Sequence, residues 1–443
     1  MNCDQLFYST DVMIESLHDR TQLASVILDE GIAKKNMLIE FLRGELSPMF
    51  GTDVKFWLQG SYKSFTLIKP VSKYATYDID VGSYLLLDAE DEGIDAIDVK
   101  DSLRAALNSF CAIHGDAQLQ ESKNACEGIK FSSHLTIDTP IYYKSETVVK
   151  LATNKGWVDS DPKAIQEWLT NRYDNKDDRA LMKRIVRYVK AWVNVQWQGS
   201  VHKKIPSLAI NVLVALYMVK QDREDDSFIH TCLNICRGLD ECFRVDNPLT
   251  NDNLLTMSAD DVAFAYKQIS ALKSACETAI EMNETQRCIV FSNIFQHYFP
   301  QINFPVVHTK VGLPALTYPL QVSVCRYNKS GVHIETTVSG NISVHKGDSL
   351  TFTVCNINDY PSDSDVYWTV RNVGSQATDA NDIGHRVIDS LYKSHKRDTA
   401  YMGKHTMECI VINKGIIIGA HVVHVDVKPE RLIPRNTKRR IWR

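Results

Sequence analysis

In the run YDIDVGSYLLL, residues 77–87, two carboxylates sit inside an otherwise apolar stretch. A β-strand reconciles the two, because strand side chains alternate faces. Asp78 and Asp80 then project to one side while Ile79 and Val81 go to the other. Two carboxylates one strand step apart form a hard-oxygen pair suited to Mg2+. Upstream, WLQGSYKS places a Gly60–Ser61 turn after an apolar segment. Such a turn brings backbone N–H groups close to a phosphate. Two-metal phosphoryl transfer uses that combination.

A third carboxylate completes the pattern. In KFSSHLTIDTPIYY, residues 130–143, Leu135 and Ile137 alternate with His134, Thr136 and Asp138. The alternation predicts a strand with one buried and one polar face, from which Asp138 approaches Asp78 and Asp80. A lone Asp-x-Asp occurs by chance on many surface strands. The order Gly-Ser, Asp-x-Asp and then a later strand Asp is far more specific.

On these residues the chain resembles the polymerase-β-type nucleotidyltransferases, and within them the bacterial CD-NTases, relatives of oligoadenylate synthase and cyclic GMP-AMP synthase. Two more segments carry the resemblance: RIVRYVKAWVNVQW with KKIPSLAINVLVALY, and KGWVDSDPKAIQEWL. It covers about residues 30–300. It implies an α+β fold: a nucleotidyltransferase core with a helical lobe, followed here by a C-terminal all-β, sandwich-like domain. It also implies that Asp78, Asp80 and Asp138 are catalytic and hold two Mg2+ ions, with Mn2+ as the substitute. Gly60 and Ser61 would bind nucleotide. Lys190, in Val189-Lys-Ala-Trp192, and Ser207, in Pro206-Ser207-Leu208, match the elements whose Lys and Ser contact the triphosphate in relatives.

Spacing alone reads the helix over 178–197 more blandly. Lys183, Arg187 and Lys190 form one basic stripe, and Leu181, Ile185, Val189 and Trp192 face the core. A basic stripe is usually a solvated face. Ser207 has a second reading as a helix N-cap. For base stacking, Tyr62, Tyr77 and Tyr142 are candidates by proximity in sequence.

At 443 residues the chain is long enough for two or three domains, each with its own core. A net charge of -4 excludes a globally basic nucleic-acid coat, so any polyanion site is a local patch. The chain has no apolar run of the roughly 20 residues that span a bilayer, so no membrane partner is expected. The 11 cysteines lack paired spacing, which points to a reducing compartment and a cytoplasmic protein. Cys232, Cys236 and Cys242 with His230 read as apolar helix positions rather than zinc ligands.

Along the chain, residues 10–48 read as helix ended by Pro48, followed by a strand-rich core over 54–143 with a helix near 98–113. Asp161 and Pro162 start a further helix. Residues 225–300 read as helical with breaks at Gly238, Asn247–Pro248 and Pro300. The catalytic core with its N-terminal helix spans 1–220, and the helical lobe of the same unit spans 221–300. A proline-bearing linker follows at 301–331, then a β-rich domain at 332–428 and a basic tail at 429–443. Trp368, Asn372 and Gly374, with Tyr401, Gly403 and His405, make the β-rich part resemble the AGS-C sensor domain. Gly384-His385-Arg386 departs from that pattern where Arg-Gly is expected.

The expected function is the joining of nucleoside triphosphates into a cyclic or short linear oligonucleotide second messenger for anti-phage signalling. A downstream effector responds to the product, and a nucleotide or nucleic acid is the expected ligand of the C-terminal domain. The alternatives are template-independent transfer onto RNA or protein, and a catalytically inactive nucleotide sensor.

Overall fold

The computed structural model describes residues 2–90, 93–146, 148–302 and 319–430. They fall into two compact units, Met1–Pro300 and Gln301–Arg443.

After a short α1 (Cys3–Phe7), the stretch expected as one helix over 10–48 holds two: α2 (Leu17–Thr21) and α3 (Ser25–Phe50). Ser16 and Asp19 form a capping box that starts α2 afresh. Val12, inside the stretch expected as helix, lies ahead of α2 and is 96% exposed. Pro48 lies inside the last turn of α3, which ends instead at Gly51 in the left-handed conformation.

The core follows in the order β1 (Val54–Gln59), α4 (Gly60–Lys63), β2 (Tyr77–Leu85), α5 (Ala96–Ile113), β3 (Ala117–Leu119), β4 (Glu127–Phe131), β5 (Leu135–Thr139), β6 (Ile141–Lys144), β7 (Val149–Thr153) and β8 (Gly156–Asp159). Their eight strands form one sheet in the order β3-β4-β5-β2-β6-β7-β8, with β1 also paired to β2. β5 and β6 are one run interrupted at Pro140, and both pair parallel to β2 in an unchanged register. One face of the sheet, with Ile79, Val81, Ile129 and Ile137, is buried against α3 and α5. That packing explains the strict alternation in β2, since a slip of one residue would drive both aspartates into this core.

The helical part comprises α6 (Pro162–Thr170), α7 (Lys176–Gln196), α8 (Ser207–Tyr217), α9 (Glu224–Glu241), α10 (Ala259–Ile280) and α11 (Glu284–Phe295). Asp161 caps α6 by accepting from the Lys163 and Ala164 amides, with Pro162 in the first turn. α9 runs through Gly238 without the expected break. A Cβ there would lie 2.5 Å from the Tyr217 hydroxyl, so the glycine serves close helix packing. Cys232 and Cys236 are buried on the same helix beside Cys276, as small hydrophobes. Among the described residues, no three His, Cys, Asp or Glu side chains already stand in the geometry of a metal site, and this holds too for the carboxylates of the cleft described below, of which Asp138 is engaged by Lys123. Nor is any helix among them long and apolar enough to cross a membrane.

In the second unit the strands are β9 (Val322–Tyr327), β10 (His333–Val338), β11 (Ile342–His345), β12 (Ser349–Val354), β13 (Asp365–Arg371), β14 (Gly384–Ser390), β15 (His395–Asp398), β16 (Gly403–Asn413) and β17 (Ile416–Lys428). β9 falls inside the stretch expected as linker, whose residues 303–318 lie outside the described ones. The basic tail lies outside them from residue 431 onward. Two sheets, β10-β9-β12-β15 and β11-β17-β16-β13-β14, are antiparallel except for the β11–β17 pair. Their shared core includes Val324, Phe352, Trp368 and Cys409, which makes a sandwich. Trp368 is therefore a core residue. The departure at Gly384 also has a local cause: its φ is +124°, and a Cβ would sit 1.9 Å from the Val370 carbonyl.

Candidate active site

Opposite the α3/α5 core, the other face of the sheet opens into a cleft of about 1420 Å3. This exceeds the roughly 300–1,000 Å3 typical of a site for one small molecule. Gly60, Ser61, Asp78, Asp80, Asp138, Lys190 and Ser207 all line it, so the fold brings the residues expected as catalytic or triphosphate-binding into one place.

The register does the assembling. Asp78 stands opposite Thr136 and Asp80 opposite Asp138 across the parallel β2–β5 pair. On the other edge of β2, Asp80 pairs with Gln59, the residue before Gly60. The chain turns directly from Gln59 into α4, with Gly60 at φ +61°. A Cβ at Gly60 would lie 1.9 Å from Asp80 Oδ2. Glycine is thus required twice, for the left-handed backbone and for room beside the carboxylate. The same device recurs under the third aspartate, where a Cβ on Gly128 would approach Asp138 Oδ1 to 2.6 Å.

Three carboxylates so gathered repel one another. Burial, then the charge of Asp138, pushes the Asp78 carboxyl up to about 6, although its side chain opens onto the cleft. Asp80 is pushed up to about 6 by burial, then by Asp138 and Asp78. Such a site is short of positive charge. A hard, all-oxygen donor set with raised carboxyl pKa values fits divalent cations. One positive group already answers the deficit: the Lys123 ammonium lies 2.6 and 2.9 Å from the two Asp138 oxygens.

Lys190 does not sit on a solvated face. It is 5% exposed, and burial pulls its ammonium down to about 7 against the opposing field of Asp80. Its donors go to Ser61 Oγ at 2.8 Å and to the carbonyl and Oγ1 of Thr66, both at 3.1 Å. Lys190 thereby fastens the Gly60–Ser61 turn to the loop that follows it. Ser64 Oγ adds a second tie, donating to the Gly60 carbonyl and the Gln166 side chain, both at 2.8 Å. Ser207 is the first residue of α8 rather than its N-cap, because the extended Pro206 holds the cap position without a side-chain bond. The amides of that first turn are left without a capping side chain beside the cleft.

The base-stacking candidates fare differently. Tyr77 is buried, with its hydroxyl donating to the Ile27 carbonyl at 3.2 Å. Tyr142 is buried and stacked on Tyr84, with ring centroids 4.7 Å apart. Gln59 bonds both hydroxyls, so this pair braces the strand before the Gly-Ser turn. Tyr62 packs partly against the core. Tyr77 nonetheless borders the cleft, and a second aromatic lining it is Tyr74, 74% exposed, in a loop whose sequence shows no periodicity to mark it. Lys130, Asn194, Lys203 and Lys204 also line it; Asn194 and the two adjacent lysines lie in the segments that carry the resemblance but were not singled out there.

Known proteins resemble this chain in both of its parts. Residues 54–142 match the family described as cyclic GMP-AMP synthase DncV-like, nucleotidyltransferase domain. Residues 293–428 match the adenylyl/guanylyl and SMODS C-terminal sensor domain. A cyclic GMP-AMP synthase of Escherichia albertii is 57% identical over 443 residues, covering 100% of both chains. One from Vibrio cholerae is 24% identical over 40% of this chain and 50% of its own. Among solved structures, Vibrio cholerae DncV in its 3'-deoxy GTP bound form shares the fold at a TM-score of 0.57 and 17% identity, covering 68% of this chain and 96% of that one. The Bradyrhizobium diazoefficiens CD-NTase CdnG in complex with GTP does so at a TM-score of 0.52 and 13% identity, over 64% and 96%.

Proposed function

The chain belongs to the DncV-like nucleotidyltransferases that carry a C-terminal sensor domain, and from that premise we propose that it joins ATP and GTP into cyclic GMP-AMP at the Asp78–Asp80–Asp138 cleft. It is a nucleotidyltransferase, of a class that uses divalent metal ions. The observation that carries the reading is the register of Asp80 against Asp138, with Asp78 on the same face beside the Gly60–Ser61 turn.

The ion assigned is Mg2+, with Mn2+ as a substitute, because the donors are hard carboxylate oxygens. When bound, two such ions neutralise the polyphosphate and lower the pKa of the attacking hydroxyl. Asp78 and Asp80 would hold both, and Asp138 would complete the second. Ser61 Oγ and the amides after Gly60 meet the terminal phosphates, with Lys190 fixing Ser61 in place. Ser207 and the first turn of α8 offer further N–H donors to the same phosphates. The cleft's volume suits two nucleotides, as a two-step joining requires. Crowding from the sheet on one side and α8 on the other orients them, which lowers the entropic part of the barrier.

The product serves as a signal to a downstream effector in defence against phage, a role implied by the family. The C-terminal unit is assigned the regulation of synthesis through a nucleotide or nucleic-acid ligand. Incubating the protein with labelled ATP, GTP and Mg2+, then with phosphatase, should leave a resistant species with the mass of cyclic GMP-AMP. Only phosphatase-sensitive species would overturn the reading. A ladder on added RNA would replace it with polymer transfer. If deletion of residues 301–443 left regulated synthesis unchanged, the regulatory role would be removed.

A further inference from the structure

One cation at the acidic trio has no part in the function proposed above. Lys123, between β3 and β4, grips both oxygens of Asp138, and its side chain is 52% exposed while that of Asp138 is 18% exposed. A surface lysine finding a carboxylate is ordinarily incidental. Here, however, the surrounding chain is tied down on several sides. The buried Lys100 of α5 donates to the carbonyls of Lys123 at 2.6 Å and of Asn124 at 3.1 Å, and bonds the Asn154 side chain. The Lys123 amide closes a tight turn onto the Cys126 carbonyl at 3.2 Å, and the Gln120 amide bonds the Gly128 carbonyl at 2.9 Å. Arg104 holds Glu127 at 2.6 Å, next to Gly128. Gly128 in turn supplies the space into which Asp138 Oδ1 fits. Lysine backbone and carboxylate are thus each positioned by separate contacts so that they meet.

We propose that Lys123 is a built-in counter-ion that occupies the cation position at Asp138 until nucleotide arrives, so that the third carboxylate takes up its metal ion together with substrate. The inference rests on the reading that this trio holds divalent ions. An ammonium and a divalent cation cannot share the same two oxygens without strong like-charge repulsion at contact distance. A polyphosphate entering the cleft offers Lys123 another anionic partner and releases Asp138. Metal and nucleotide binding are then linked, each favouring the state that the other favours. Lys123 acts through Asp138 and is a positioning residue.

The test is Mn2+ binding to the full chain, read by the paramagnetic resonance of the free ion, without and with a non-hydrolysable nucleoside triphosphate. Lys123→Met should bind Mn2+ about fivefold more tightly than the unaltered protein when no nucleotide is present, the scale of a partly exposed ion pair. It should gain less from added nucleotide, and Lys123→Arg should restore the original behaviour. Lys123→Gln serves as a second neutral variant, with melting temperatures confirming that both are folded. Unchanged or weaker Mn2+ affinity in both neutral variants, while Asp138→Asn still weakens binding, would overturn the counter-ion role and leave the metal reading intact. Absence of any Mn2+ binding that Asp78→Ala with Asp80→Ala removes would overturn both.

Discussion

Two aspartates of the same unit, Asp80 and Asp225, are both drawn out of bulk water and meet opposite electrostatic fates. Asp225, on α9, is 0% exposed at its side chain, yet Arg223 at 2.8 Å and Arg287 at 3.0 Å flank it. Burial raises its pKa, but the bonds to those two guanidinium groups outweigh that and hold it below the ordinary carboxylate value. Asp80 has burial and two further carboxylates pushing the other way. A buried acid with its cations supplied by the chain is part of the scaffold. One left short of cations inside a cleft marks a place for charge to arrive from outside.

The difference is open to direct attack. The largest effect expected is on chemistry: Asp78→Ala with Asp80→Ala should lower product formation by about a thousandfold or more, with an unchanged circular dichroism spectrum. Retained synthesis would mean that the metal assignment is wrong. Asp225→Ala should do the reverse, removing the buried carboxylate that Arg223 and Arg287 share and leaving them only Asp226 and, for Arg223, Glu284. A loss of about 3 kcal/mol in unfolding free energy is expected from urea titration, with activity per folded molecule preserved.

A subtler test uses pH on the metal-free protein. The folded-state pKa of Asp80 lies above its unfolded value, so the folded state binds the proton more tightly. Asp80 therefore costs stability at pH above about 6, and the cost fades as pH falls towards the unfolded carboxyl value near 3.8. Asp80→Asn should stabilise the metal-free protein by about 2 kcal/mol at pH 8, discounted for water in the cleft. That gain should vanish by about pH 4. Asp225→Asn should destabilise at pH 8, and equal signs for the two variants would dissolve the contrast. The smallest effect is steric. Gly128→Ala should displace Asp138 and slow synthesis about tenfold with little change in melting temperature.

Much of this was readable from the chain before any coordinates. The alternation in residues 77–87 specified a strand with its carboxylates on one face, because a period of two leaves no other way to bury Ile79 and Val81. Asp161–Pro162 announced a helix start, since a capping side chain and a fixed φ act within one turn. Where the local signal is ambiguous, sequence and structure differ. Pro48 was expected to stop a helix that contains it, and Gly238 to break one that runs through it. Gly238 is decided by Tyr217, a neighbour distant in sequence, and Pro48 by the left-handed stop at Gly51 three residues on. The strand Val322–Tyr327 was absorbed into an expected linker because prolines nearby dominated the composition.

The sequence alone therefore determined the periodicities, the caps and the acidic pattern, which are properties of residues within a turn or a strand step of one another. Only the tertiary structure decided that Asp80 faces Asp138, that Lys190 is spent on Ser61 and Thr66, and that Lys123 closes on the third carboxylate. It also withdrew Tyr142 from the cleft into a stack on Tyr84, tied the Tyr77 hydroxyl to the Ile27 carbonyl at the cleft's edge, and exposed Tyr74 there. The physical reason is that burial and long-range charge set those outcomes. Neither quantity exists for a residue until the rest of the chain has packed around it.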